Sequence, residues 1–292
     1  MSYQYYLLRD LNESFKNLLY AKNISDLDIE DIYSDTNLSK VEKADNYVYL
    51  ALQLPEYSSQ DNQMEKKQIQ IIFNNNYLLV VDDKKLTHFD SFENQRQLGN
   101  ISFETTYSHA LEVIDFLITR SLPLTDKLRL EVLDIEKSVF NFELTKDLVI
   151  EITILKKNLI NLQSMIKSIK STLVEVKTKV ITDPQHQLQI EDTQDKVDKI
   201  ISSIDLLKEE ISFLTETNEI LIARSTNETI KTLTITNLIF LIPTFITSFF
   251  GMNVNFGWNV DQFNPIVITF IIAIIVNFTI LALYFFKSKK WL

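Results

Sequence analysis

Leu233-Thr-Ile-Thr-Asn-Leu-Ile-Phe-Leu-Ile-Pro-Thr-Phe-Ile-Thr-Ser-Phe-Phe250, then Gly251-Met252-Asn253, then Ile266-Val-Ile-Thr-Phe-Ile-Ile-Ala-Ile-Ile-Val-Asn-Phe-Thr-Ile-Leu-Ala-Leu-Tyr-Phe-Phe286: these stretches decide how the chain is built. From Thr232 to Phe286 the only charged side chain is Asp261. A bilayer core takes about 20 apolar residues per helix, so each run is long enough to span. They predict a first transmembrane helix over 232–250, an external loop over 251–265 and a second transmembrane helix over 266–286, followed by a basic tail over 287–292. Arg224 and Lys231 precede the first run, Lys287, Lys289 and Lys290 follow the second, and the loop holds no Lys or Arg. The positive-inside rule then puts both termini in the cytoplasm of a multi-pass protein of the cell membrane. Trp258 and Trp291 stand near opposite interfaces, where amphipathic aromatic rings prefer to lie.

Outward from the first run, toward the N-terminus, the chain is periodic. Ile190, Val197, Ile204, Ile211 and Asn218 fall at one heptad position, and Thr193, Ile200, Leu207, Leu214 and Leu221 at the other. With no Gly or Pro before Pro243, one helix is predicted from about Ile190 to Phe250. Its 190–231 part is a water-exposed stalk, and about 60 residues at 1.5 Å rise span roughly 90 Å. The heptads fit a hairpin with the preceding helix or a symmetric bundle of copies. Ile201, Phe213 and Ile220 lie off the seam, and a helix apolar on more than one face needs more than one neighbour.

The segment 105–189 reads as a helical bundle. Ala110, Leu111, Ile114, Leu117 and Ile118 recur at helical spacing, Pro123 opens a second helix, and a third runs from about Leu144 to Ile181, ending at Asp183-Pro184. Residues 1–104 read as an α/β module. Tyr47–Leu54 suits a strand ending at Pro55, and Lys67–Phe73 with Tyr77–Val81 suits a hairpin whose Asn74-Asn75-Asn76 turn uses asparagine's tolerance of left-handed geometry. Ser25 to Lys43 reads as a polar loop with a short helix. The fold class is thus an α+β cytoplasmic domain with a long helical stalk and two C-terminal transmembrane helices.

The 292 residues carry a formal net charge of −10, and residues 1–250 hold 38 acids against 26 bases. An acidic body argues against nucleic acid as a partner, because phosphate binding rests on Lys and Arg. It suits cations, although an acidic surface also simply keeps a protein soluble. The lack of cysteine excludes disulfides and thiolate chemistry. Three glycines, Gly99, Gly251 and Gly257, cannot assemble a phosphate-cradling loop. His88, His109 and His186 are isolated from one another and from any nucleophile, so an enzyme is not expected.

A lone hairpin cannot enclose a water path, so conduction needs an oligomer with one helix per subunit at the axis. Asn227, Thr234, Asn237, Leu241, Thr244 and Ser248 make one stripe along the first span, which should face protein or water rather than lipid. Interhelical hydrogen bonding accounts for such a stripe as well as a pore does. Gly251 ends the span where a left-handed cap fits glycine, and Asn253 adds an uncharged oxygen at its mouth.

Gly251-Met252-Asn253 closing a first span after Phe249-Phe250, with Pro243 one turn earlier, a second span, and Lys289-Lys290-Trp291-Leu292 at the terminus, resembles the CorA family of magnesium transport proteins. The likeness extends down the helix through Asn227 and Lys231-Thr-Leu-Thr234. It implies a funnel-shaped homopentameric membrane channel for Mg2+, with Co2+ as a further cargo, and no cofactor beyond Mg2+ as transported and regulatory ion. It maps the ion-selecting ring onto Gly251, Met252 and Asn253, and the pore lining onto Asn227, Ile230, Leu233, Asn237, Leu241 and Thr244. Oxygens on such a ring can hold a hydrated Mg2+ through its waters, which the ion sheds reluctantly, and apolar rings at Leu233 and Leu241 can gate by dewetting.

Family gating is linked to magnesium between cytoplasmic domains. Glu191, Asp192, Asp195 and Asp198 are the candidate side of such a site, Asp192 and Asp195 foremost, against the reading of a solvated charged face. The loop Val254–Asn264 has Asp261 as its only acid, where many members carry an acidic stretch. That leaves the preferred ion open among Mg2+, Co2+, Ni2+ and Zn2+, and the direction open between uptake and efflux. A membrane-anchored coiled coil without transport is the reading from a different class.

Overall fold

The computed structural model describes residues 3–34, 39–58, 62–82, 86, 89–98, 103–141, 146–252, 269, 272–278, 280–281 and 284. Residues up to Thr215 form one compact unit and those from Glu216 a second.

The first unit is built on a five-stranded sheet: β1 (Gln4–Leu8), β2 (Lys40–Lys43), β3 (Val48–Ser58), β4 (Gln63–Phe73) and β5 (Tyr77–Val81), in the order β1-β5-β4-β3-β2. The β1–β5 pair is parallel and the others antiparallel. Helices α1 (Glu13–Ala21) and α2 (Asp26–Tyr33) cover one face, burying Phe15, Leu19, Ile29 and Ile32 against Tyr49, Ala51, Ile72 and Leu79. Alternation along the strands sends Leu50, Leu52, Ile69 and Ile71 to the other face, and these too are fully buried. There the sheet meets α4 (Thr106–Thr119) and α6 (Lys146–Glu175); α3 (Phe89–Gln97) and α5 (Leu122–Phe140) complete the helical layer. Asn158 of α6, itself fully buried, accepts from the Met64 N–H at 2.9 Å and donates to the Asn62 carbonyl at 2.8 Å, tying the start of β4 to the helix.

Ala110, Leu111, Ile114, Leu117 and Ile118, which recur at helical spacing, are all buried on α4. Leu128, Val132, Ile135 and Val139 of α5 are buried, as are Leu148, Ile152, Leu155, Leu159, Leu162, Ile166, Ile169 and Leu173 of α6. After α6, a π-helical turn over Val176–Val180 leads to α7, one helix from Pro184 to Phe250. It begins six residues before the boundary the heptads suggest. Asp183 accepts from the His186 N–H at 3.4 Å through its side chain and from the Gln187 N–H at 3.0 Å through its carbonyl, with proline at the first helical position.

The heptad seam of α7 is buried in its own chain from Ile190 to Leu214. Lys177–Glu191 and Lys170–Asp198, each at 2.6 Å, and Gln163–Lys208 at 2.8 Å run in antiparallel order along α7 and the π-helical turn and α6 before it. The intrachain hairpin therefore accounts for the seam. Phe213, off the seam, stays 59% exposed.

Other expectations need correcting. Pro55 does not end β3, which runs on to Ser58. β2 flanks β3 only along Val48–Ala51, so Pro55 lies where one edge of the strand is open and its missing N–H costs no ladder bond there. The Asn74–Asn76 hairpin forms without left-handed asparagines. Among the described non-glycine residues only Asn23 and Asn62 have positive φ. Instead the Asn74 side chain accepts from the N–H groups of Asn76 at 2.9 Å and Tyr77 at 3.1 Å. The 25–43 segment holds β2 as well as the expected short helix, α2.

In the second unit, α7 carries the one stretch among the described residues long and apolar enough to cross a membrane. Residues 272–278 of the second apolar run are helical. Asn253, the loop over 253–265 and the basic tail lie outside the described residues.

Candidate functional site on the long helix

The upper part of α7 shows two unlike faces. Ile235 is 2% exposed, and Ile239, Pro243 and Ile246 are half-buried. At 3.6 residues per turn these four share one side. Asn227, Ile230, Leu233, Thr234, Asn237, Leu241, Thr244 and Ser248 fall on the roughly opposite side, and all are exposed. The covered face is thus the apolar one, and the mixed polar stripe is left open.

The polar groups in this part of the helix are not equivalent. Thr226 and Thr234 donate to the carbonyls of Ile222 and Ile230 at 2.9 and 2.8 Å, and Thr232 and Thr236 bond one turn back in the same way. Such back-bonding satisfies the hydroxyl donor inside the helix. Among the described residues no hydrogen bond engages the side chains of Asn227, Asn237, Thr244 or Ser248, so these are the stripe's uncommitted polar groups. Pro243 has no N–H, which frees the Ile239 carbonyl within the helix.

Gly251 departs from the expected cap. Its φ lies outside the left-handed region, and its N–H continues the helical pattern to the Thr247 carbonyl at 2.9 Å. A Cβ there would lie 3.2 Å from that same carbonyl, a tight contact with backbone. The helix therefore ends at Phe250 without a left-handed glycine cap; Met252 follows Gly251, 53% exposed.

At the other end of α7, Asp192 and Asp195 are exposed. Asp192 pairs with Lys196 at 2.9 Å, while Glu191 and Asp198 pair with lysines of the preceding turn and helix. Lys196 also reaches Asp115 of α4 at 2.7 Å. Burial disfavours its charge, yet the bonds to Asp115 and Asp192 outweigh this and hold its pKa above the ordinary lysine value. Beside it, burial first and Asp115 second raise the Glu112 carboxyl. Among the described residues of one chain, Asp192 and Asp195 do not converge with a third ligand. Among the described residues, the group of three carboxylates close enough to share an ion is Asp28, Asp31 and Glu42. The sequence reading passed over these. Asp26-Leu-Asp-Ile-Glu-Asp31 is visibly acidic, but Glu42 joins it only through the pairing of β2.

Of the histidines, His88 lies outside the described residues. His186 bonds Ser108 at 2.9 Å, and His109 is packed among aromatic rings.

An acidic α+β unit, a long helix leaving it and an uncharged apolar segment at that helix's end together define a membrane protein with a large soluble part. Its family follows from comparison. The profile described as CorA-like Mg2+ transporter protein matches residues 3–290, and the chain belongs to that family. The cobalt/magnesium transport protein CorA of Thermotoga maritima is 26% identical over 277 residues, covering 92% of this chain and 77% of that protein. The complete CorA magnesium transporter of Methanocaldococcus jannaschii has the same fold, with a TM-score of 0.83 at 19% identity, over 99% of this chain and 90% of that one. The ZntB cytoplasmic domain of Vibrio parahaemolyticus matches 74% of this chain and 86% of its own, with a TM-score of 0.57 at 13% identity. The protein is therefore a membrane-embedded divalent-cation transporter and not an enzyme.

Proposed function

We propose that the chain is the subunit of a homopentameric channel for Mg2+ uptake, with Co2+ as a second cargo. The observation that carries this reading is the open, uncharged stripe on α7, set opposite the face its own chain covers. Five copies around an axis give each stripe a water-filled centre to face. Asn227, Ile230, Leu233, Asn237, Leu241 and Thr244 then line the path, and Gly251, Met252 and Asn253 form its outer ring. The names of the relatives support the cargo: cobalt and magnesium for the Thermotoga maritima protein, magnesium for that of Methanocaldococcus jannaschii.

The chemistry is electrostatic and steric. Mg2+ prefers octahedral oxygen ligands and sheds water slowly, so a ring of uncharged oxygens can select the hydrated ion without stripping it. Between polar positions, Leu233 and Leu241 make apolar rings that empty of water when they narrow and conduct when they widen. The exposed Phe213 and Ile220 supply apolar surface for neighbouring subunits. Asp192 and Asp195, open on the stalk, supply one side of an intersubunit site through which cytoplasmic Mg2+ closes the channel. Both termini lie in the cytoplasm, as the Lys and Arg bias requires.

Reconstitution in liposomes tests this. Under an inward Mg2+ gradient and a negative internal potential, an internal indicator should report Mg2+ entry that Asn253→Ala abolishes. Wild-type vesicles without flux overturn the channel reading. Flux that Asp192→Asn with Asp195→Asn leaves equally sensitive to internal Mg2+ removes those residues from gating.

A further inference from the structure

We propose that the crevice at the turn end of the sheet binds a nucleoside phosphate, with Lys22 and Lys43 on the phosphate and uncommitted asparagine amides on the rest of the molecule. The crevice holds about 650 Å3, within the range of small-molecule pockets. Three turns build it: 22–25 between α1 and α2, 44–47 between β2 and β3, and 74–76 between β4 and β5. Hydrogen bonds tie them together. Asn74 donates from Nδ2 to the Asn46 carbonyl at 2.8 Å, and the Thr106 hydroxyl at the start of α4 donates to the Asn74 carbonyl at 2.6 Å. The walls are therefore set by the fold itself.

The charge of this crevice is opposite to that of the chain. The chain carries a formal net charge of −10, yet the charged residues lining the crevice are two lysines and one acid, Asp45. Neither lysine is spent on a carboxylate among the described residues. Lys22 donates to the Gln4 amide oxygen at 2.8 Å and lies 4.9 Å from the centre of the Tyr77 ring. Lys43 donates to the Lys179 carbonyl at 2.9 Å. Each of these hydrogen bonds uses one of three ammonium donors and leaves the positive charge without a counter-charge.

The crevice also offers groups for the rest of the ligand. Among the described residues the side chains of Asn23, Asn46, Asn75 and Asn76 make no hydrogen bond, whereas Asn74 spends its own on the turns. A free carboxamide presents two donors and an acceptor, which suits the edge of a base or the hydroxyls of a ribose. Tyr107 stands half-buried at the crevice, edge-on to Phe73 at 5.1 Å, and supplies a ring on which a base can stack. Inorganic phosphate would engage the lysines and leave most of the volume empty. Two lysines are too few for a nucleic-acid strand, which needs a run of phosphate contacts. One carboxylate is too few for a hard cation.

Isothermal titration calorimetry of the full-length protein in detergent, with no divalent cation present, tests this with ATP, inorganic phosphate and adenosine as probes. ATP should saturate one site per chain, and phosphate and adenosine should each bind at least about tenfold more weakly. Lys43 and Asn75 are exposed, so Lys43→Gln and Asn75→Asp leave the fold intact and should each weaken ATP binding by at least about tenfold. Asp45→Asn removes the one acid and should tighten it several-fold. Wild-type protein without saturable ATP binding, phosphate binding as tight as that of ATP, or ATP binding that Lys43→Gln and Asn75→Asp leave unchanged overturns the proposal.

Discussion

Acid should destabilise this protein through a single imidazole. His109 on α4 is fully buried, stacked on Phe103 with ring centroids 4.1 Å apart and beside Tyr5 at 4.7 Å. The Tyr3 hydroxyl, kept protonated by burial, lies 2.9 Å from Nδ1, and Nε2 has no partner. Burial first, and the Arg96 charge second, lower its pKa from 6.5 to about 3. In the unfolded chain the ring takes a proton near pH 6.5; in the folded chain it stays neutral until about pH 3. Below pH 6.5 the unfolded state therefore binds more protons, and stability falls as pH falls. At about 1.4 kcal/mol per pH unit, the loss at pH 5 is about 2 kcal/mol. That corresponds to about 4–8 °C in melting temperature for a unit of this size. Melting of the full-length protein in detergent between pH 7 and pH 5 should show this slope. The variant His109→Gln, less stable at pH 7, should show a flatter one, since the remaining groups are common to both proteins. Equal slopes for the two proteins would refute the assignment.

Replacing Asn158 with Leu strands the Met64 N–H and the Asn62 carbonyl, and chemical denaturation should register a loss of about 2–4 kcal/mol. Gly251→Ala should cost no more than about 1 kcal/mol in chemical denaturation, because the position is not left-handed and the Thr247 carbonyl, 3.2 Å from the added Cβ, has only to give slightly; a larger loss would mean that this contact cannot relax. In the liposome assay Leu241→Ser should raise Mg2+ flux several-fold by wetting the apolar ring, whereas Ile239→Ser, on the covered face, should lower stability instead. Phe213→Glu, at an exposed position off the seam, should split the proposed oligomer in size-exclusion chromatography with light scattering; an oligomer unchanged in size would place that face in water.

Legibility in the sequence followed how local each signal is. The seam of α7 could be read because helical periodicity is a property of neighbouring residues, and its positions from Ile190 to Leu214 are buried. The start of α7 was misplaced because apolar spacing begins at Ile190, whereas Asp183 and Pro184 set the first turn. The inner strands β3, β4 and β5 announced themselves by β-branched and aromatic runs. The edge strands did not: Lys40-Val-Glu-Lys43 is short and charged, as edges tend to be, and Gln4–Leu8 is a strand only through its parallel pairing with β5. The same division governs the sites. A stripe along one helix is visible from spacing alone, but Asp28, Asp31 and Glu42 meet only once β2 has found β3.

The threonines of α7 bear on what the stripe can recognise. Thr226 and Thr234 spend their hydroxyl protons on carbonyls one turn back, so what they turn outward is lone pairs. Asn227 and Asn237 add amide oxygens, and no carboxylate stands among them. Neutral acceptors of this kind, with no carboxylate among them, suit a partner that presents hydrogens in every direction. A hydrated divalent cation is such a partner, its charge polarising the outward protons of its water shell. A bare cation would find too few ligands at fixed distance to replace six waters. Carboxylates in the path would hold the ion more tightly and slow its exit, since conduction needs binding weak enough to release. On the proposed path, then, the absence of charge between Thr232 and Phe249 and the back-bonded threonines serve one end: the ion passes with its water, and the helix gives up no backbone bond to let it through.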